Sequence, residues 1–295
     1  RLERFSMNEH TKVLVAAQAV LGECALWCER EQALYWTDID SALLSRWREA
    51  DGAVKTWPLP EQLGSFALCE RPGRLLLGLA SGVALFDLSS GVIGRITPVE
   101  ADQPATRIND GRCDPQGRFV FGMFNREGAA TGGFYRVGPD LAIERLPLPD
   151  AAVGNCLSFS PEGTRLYFTD SPTRTIYQLD YHADGRLGEP QRFAQLAPED
   201  GEPDGAAVDA EGFLWTALWG AGCVARFDAQ GREVLRLPVP ASQPTCPCFG
   251  GAALDRLFLS SARRGLGDSE PQAGAVFELL NHGARGRSEH RFRTS

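Results

Sequence analysis

Histidine is nearly missing from this chain: four occur in 295 residues, at His10, His182, His282 and His290. Three lie towards the ends, and His182 sits in a turn-like His-Ala-Asp-Gly. None has the setting of a triad base, and a histidine-rich zinc or iron site is excluded with it. No G-x-S-x-G run is present, so the strained serine elbow of many hydrolases is absent. Phosphate-cradling glycine loops in a strand-to-helix context are lacking too. No apolar run approaches the ~20 residues that a membrane-crossing helix needs, and the first residues hold no signal-peptide core. Basic surplus is also missing. A net charge of −8 argues against a nucleic-acid partner.

What is present is apolar and turn-rich. Hydrophobic residues make up 43% of the chain, enough for a sizeable core, and 32 glycines and 19 prolines punctuate it. Eight cysteines are irregularly spaced; the close pairs are Cys24/Cys28 and Cys246/Cys248. Neither pair has zinc-ribbon spacing. We read the cysteines as reduced, buried thiols of a cytoplasmic protein, with a disulfide as the alternative.

Helical periodicity is scarce, and a different pattern recurs. A polar turn precedes a short leucine-rich or aromatic run that ends in a small residue. The runs are Leu34–Thr37, Leu75–Gly78, Phe119–Gly122, Leu166–Thr169, Phe213–Thr216 and Leu257–Ser260. The preceding turns read alike, as in Asp114-Pro-Gln-Gly, Ser160-Pro-Glu-Gly and Asp209-Ala-Glu-Gly. A second strand-like run follows each, as in Val83–Phe86 or Thr175–Gln178. Repeats of roughly 40 to 50 residues belong to propellers. The expectation is an all-β, six-bladed β-propeller with four-stranded blades. Lys12 to Ala17 should pair with the last blade and close the ring. The boundaries expected are a disordered N-terminal segment 1–11, one propeller domain 12–280 and a disordered tail 281–295 rich in Arg, Ser and Gly. Arg1 to Ser6 precede Met7 and read as a cloning remnant ahead of a native start.

Propeller blades send their innermost strands down a central channel, so equivalent loops converge there. Four short oxygen-bearing side chains fall at such places: Glu23, Asn109, Asn155 and Asp204. Two carboxylates and amide oxygens suit a hard divalent cation. The competing reading is that each residue merely shapes its own turn beside glycine. Arg107, two residues before Asn109, would share its face on a strand. Glu127, in Asn-Arg-Glu-Gly, would sit on a loop that could cover the channel mouth.

The residues around these positions resemble a known family. L-G-E-x-x-x-W (Leu21 to Trp27), R-I-N-D-G-x-x-D-P-x-G-R (Arg107 to Arg118), N-x-L-x-F-S-P-E-G (Asn155 to Gly163), P-D-G-x-x-V-D-A-E-G-x-L-W (Pro203 to Trp215) and C-F-G-G (Cys248 to Gly251) are similar to the gluconolactonase / senescence marker protein / regucalcin family. The likeness runs from about residue 15 to 280 and is greatest to bacterial pentonolactonases.

The resemblance implies a divalent metal in the channel, Ca²⁺ foremost, with Mg²⁺, Mn²⁺, Zn²⁺ or Fe²⁺ as alternatives. It assigns ligation to Glu23, Asn155 and Asp204, and substrate contacts to Arg107, Asn109 and Glu127. It implies hydrolysis of a sugar lactone such as a gluconolactone, L-arabinonolactone or xylonolactone, with Asp204 as general base. The partner is then a small sugar lactone, with no nucleic acid and no membrane. A Ca²⁺-binding regulatory protein without essential catalysis is the main alternative; a phosphotriesterase-like propeller enzyme and a pure interaction scaffold are others. Two departures stand out. Cys24-Ala25 follow Glu23 where the family often has Ser-Pro or Gly-Pro. Gly122-Met123-Phe124 replace the usual Gly-Thr-Met.

Overall fold

Each leucine-rich or aromatic run forms the second strand of a four-stranded antiparallel sheet. The computed structural model describes residues 10–294. Six such sheets follow one another around a ring, with each innermost strand packed on the next. The innermost strands are Gly22–Cys28, Leu63–Leu68, Thr106–Cys113, Gly154–Phe159, Glu202–Val208 and Pro244–Gly250. The fold is the expected six-bladed propeller. Among the described residues no helix is long and apolar enough to cross a membrane.

The ring closes with residues from both ends of the domain. Thr11–Val15 pairs antiparallel with Val276–Leu279, completing the sixth blade as its outermost strand. Side chains from adjacent blades fill the wedges between them. Tyr35 and Trp57 of the first blade pack with Phe66 and Leu77 of the second. Trp27 stacks on Phe258 across the closure, ring centroids 5.6 Å apart, an arrangement worth about 1 kcal/mol beyond area burial. All eight cysteines are buried free thiols, so no disulfide supports the ring.

Every innermost strand carries a bulge or register shift at the corresponding point, between Glu23 and Leu26, Leu63 and Ser65, Ile108 and Gly111, Asn155 and Ser158, Pro203 and Ala206, and Pro244 and Cys246. A bulge bends the strand and re-aims side chains. Here it turns one end of each strand towards the axis. Cys24 and Cys156, within two of these bulges, adopt positive φ of 51° and 58°, a strained conformation for a residue with a Cβ.

The C-terminal segment corrects one expectation. Residues 281–294 do not trail away from the ring. His282 sets its ring edge-on to Trp215, centroids 6.2 Å apart. Glu289 forms an ion pair with Arg112, whose other nitrogens donate to Leu157 O at 3.0 Å and Ala206 O at 2.7 Å. Phe292 is fully buried among Cys69, Phe119 and Phe121, and its backbone bonds Leu68 O and Glu70 N. The composition lacked an apolar run, but one aromatic anchor, one buried charge pair and borrowed strand pairing are enough to dock this tail. Residues 1–9 lie outside the described residues.

Two outcomes follow for stability. Phe292→Ala should lower unfolding free energy by about 3–5 kcal/mol, as for other fully buried phenylalanines, measurable in urea titrations. Asp110 gives a pH signature. Burial pushes its carboxyl up to about 7, against the opposing pull of Arg112. An unfolded aspartate titrates near ~3.9. The folded state therefore holds the proton more tightly, and this group's contribution falls as pH rises from about 4 to about 7. Asp110→Asn should gain on the wild type across that window, by at most about 1.4 kcal/mol per pH unit.

Candidate active site

At the bulged end of the inner strands the ring encloses a cavity of about 180 Å³ lined by Glu23, Arg107, Asn109, Asn155 and Asp204, among others. Five of the six residues singled out from the sequence thus meet in one place, drawn from blades one, three, four and five. The turn-forming alternative holds in part: Glu23 accepts from Cys24 N at 2.9 Å and Asp204 from the Gly205 backbone. Asp114 and Asp209 do accept from backbone N–H groups in their own turns. Asn109 and Asn155 instead bond to groups distant in sequence.

Glu127 is the exception. Its turn folds back so that its backbone N–H donates to Asn125 Oδ1 at 2.8 Å. The residue is exposed and does not line the cavity. Phe124 occupies that wall, its ring 4.4 Å from the Arg107 guanidinium carbon, whereas Met123 is fully buried in the core.

A single directional chain of hydrogen bonds orients the amides. Arg107 Nη1 donates to Asn109 Oδ1 at 2.8 Å. Asn109 Nδ2 donates to Asn155 Oδ1 at 3.2 Å and to Gly154 O at 3.0 Å. Asn155 Nδ2 donates to Ser171 Oγ at 2.8 Å, and Ser171 Oγ to Pro203 O at 2.6 Å. Because arginine only donates, the direction is set at its start, and each amide has one consistent orientation.

The Asp204 loop is clamped on three successive carbonyls. Pro203 O accepts from Ser171, Asp204 O from Cys156 Sγ at 3.0 Å, and Gly205 O from Thr216 Oγ1 at 3.1 Å. Glu23 is held in a related way, since Thr245 Oγ1 of the preceding blade donates to Gly22 O at 2.6 Å. Gly205 is required for close packing: a Cβ there would lie 2.8 Å from Thr245 O.

The electrostatics are dominated by two buried acids. Glu23 and Asp204 are buried side by side and share a hydrogen bond. Burial raises both carboxyls, and Asp204 stands well above the usual carboxylate range because Glu23 repels its charge as well. Arg107 lies at the same cavity; burial, with Arg126 nearby, brings its guanidinium down to about 10, so it stays cationic at neutral pH. Asp204 Oδ1 is buried with no hydrogen-bond partner. An orphaned carboxylate oxygen, a second carboxylate and the Asn155 amide oxygen fit a hard divalent cation. Among the described residues no three acidic, cysteine or histidine side chains cluster to hold a metal, so an amide and water must complete any such set.

Phe124, noted in the sequence as a departure, lines the cavity, and sequence reasoning missed the rest of a second tier: Ile39, Ser171, Trp219 and Arg264. Each lies at or just beyond the end of a blade's second strand. The repeat that aligned the first-strand residues would have aligned these too, had it been followed one strand further. Glu202, two residues before Asp204, was also passed over.

The model of the SMP-30/Gluconolactonase/LRE-like region matches residues 21–263. The chain is 48% identical to the L-arabinolactonase of Azospirillum brasilense, over 90% of both proteins. It is 36% identical to the 6-deoxy-6-sulfogluconolactonase of Pseudomonas putida, over 92% of this chain and 94% of that one. A crystal structure of the calcium-binding protein regucalcin from Agrobacterium tumefaciens superposes with a TM-score of 0.91 at 31% identity, covering 95% of this chain and 96% of the other. With a family match spanning most of its propeller, the chain belongs to the SMP-30/gluconolactonase/LRE-like family.

Proposed function

We propose that this protein hydrolyses a sugar-derived lactone to the aldonic acid, with a pentonolactone such as L-arabinonolactone as the leading substrate. The observation that carries the reading is the buried Glu23–Asp204 pair on a small cavity that also holds Arg107 and Asn109. Ion binding alone has no use for the last two. The relatives named lactonases support the same reaction class.

Glu23, Asn155 and Asp204 would hold one divalent cation. Such an ion, when bound, supplies Lewis-acid polarisation of a carbonyl and acidifies water. The chain's own groups do the rest. Asp204, which such a cation would keep ionised and whose Oδ1 is free of other hydrogen bonds, takes the proton from the attacking water as general base. Water oxygen bonds to the carbonyl carbon, the ring C–O bond breaks, and the proton passes to the departing ring oxygen. Arg107 offers N–H groups to the charge developing on the carbonyl oxygen. Asn109 positions substrate while its amide stays locked between Arg107 and Asn155. The eight buried free thiols support a reducing compartment such as the cytoplasm.

A second reading, a Ca²⁺-binding regulatory protein, draws on the likeness to a calcium-binding regucalcin. Assaying a panel of aldonolactones on metal-stripped protein, with each divalent cation added back, separates the two. Hydrolysis of no lactone with any metal would overturn the enzyme reading. Asp204→Ala should lose roughly 10²-fold or more in kcat and weaken cation binding; full metal-dependent turnover in that variant would refute its role. Ser171→Ala should weaken cation affinity or activity by about 10–100-fold, as expected for a group that orients a ligand. Calorimetric titration with Mn²⁺ or Ca²⁺ checks it.

A further inference from the structure

Three acids line the cavity, and the chemistry above uses two. The third, Glu202, is half-buried. It does not form a three-acid cluster with Glu23 and Asp204, because no such cluster exists among the described residues. Its side chain has no hydrogen bond or ion pair among the described residues, although another cavity residue, Arg264, pairs with Asp40 at 3.3 Å. A half-buried carboxylate on the wall of a small cavity offers two acceptor oxygens to whatever enters it.

Its immediate neighbour is informative. Glu202 pairs directly with Trp219 across the two inner strands of the fifth blade. Trp219 also lines the cavity and packs against Leu21, Ile39 and Ala262, and its indole N–H makes no hydrogen bond among the described residues. An aromatic side chain beside an acceptor-only carboxylate suits a sugar. The ring's C–H face lies on the indole, and neighbouring hydroxyls donate to both carboxylate oxygens. Arg264, half-exposed at 52% and held only by Asp40, adds donors at the same mouth.

We infer that Glu202, backed by Trp219 and joined by Arg264, is the specificity element that reads hydroxyl groups of the substrate, the task that the family resemblance gave to Glu127. The inference rests on the lactonase reading and sharpens it: the substrate is a lactone carrying neighbouring free hydroxyls, not a plain cyclic ester. Glu202 acts on binding and leaves the reacting carbonyl to the Glu23–Asp204 end of the cavity.

The test compares two substrates, a polyhydroxylated five-carbon aldonolactone and unsubstituted γ-butyrolactone, on wild type, Glu202→Ala and Glu202→Gln. Hydrogen bonds to a charged group predict that Glu202→Ala loses roughly ten-fold or more in kcat/KM for the hydroxylated lactone. The loss should fall in KM, and γ-butyrolactone turnover should be unchanged. Glu202→Gln, which still accepts hydrogen bonds, should recover part of the loss. Mn²⁺ affinity by calorimetry should match wild type in both variants. Equal losses on both lactones, no loss on either, or weakened Mn²⁺ binding would overturn the inference while leaving the enzyme reading intact. A wild-type protein inert towards both lactones would sink the lactonase reading, and this inference with it.

Discussion

Burying two carboxylates against each other is the constraint from which the rest of this site follows. Glu23 and Asp204 come from blades one and five and meet out of water. Like charges in that setting repel, and desolvation opposes either charge alone. The protein accepts this only because each acid's backbone is held from outside. A hydroxyl of the preceding blade grips the carbonyl just before each acid, Thr245 on Gly22 and Ser171 on Pro203. The repulsion cannot relax by moving the strands, and so it persists as affinity for positive charge.

The bulges translate the fold into that geometry. A regular antiparallel strand alternates its side chains, and six such strands would offer the axis a barrel-like lining. Shifting register at the same point in the inner strands presents Glu23, Asn109, Asn155 and Asp204 at one end of the ring. Below the shift the channel is filled rather than open. Arg112 spans to blades four and five and meets the returning tail at Glu289. One end of the ring is built for binding and the other for closure.

The sequence disclosed the ring and the first tier of the site for a shared reason: repetition. Strand cores recurring at near-constant spacing revealed the blades, and short polar residues recurring beside glycine revealed Glu23, Asn109, Asn155 and Asp204. Other features depend on local or long-range contacts that no repeat records. Glu127 looked suitable by its loop position, yet a local bond to Asn125 turns that loop outward. Glu202 and Trp219 owe their meeting to cross-strand register, which periodicity alone does not specify. The tail's order depends on Phe292 finding a gap beside Cys69 and Phe119, a long-range fit invisible in a polar, glycine-containing segment.

The closing strand has a consequence for how the chain comes to be folded. Thr11–Val15 is made before the other strands of the domain but finds its partner, Val276–Leu279, only when nearly all of the domain has been made. Throughout synthesis an early strand and a growing stack of blades each carry an unpaired edge, the condition that invites pairing with other chains. Ring closure must therefore come late, and contacts this distant in sequence make it slow. Its completion brings the first and sixth blades together and places Glu23 beside Asp204, so the buried carboxylate pair is the last part of the molecule to exist.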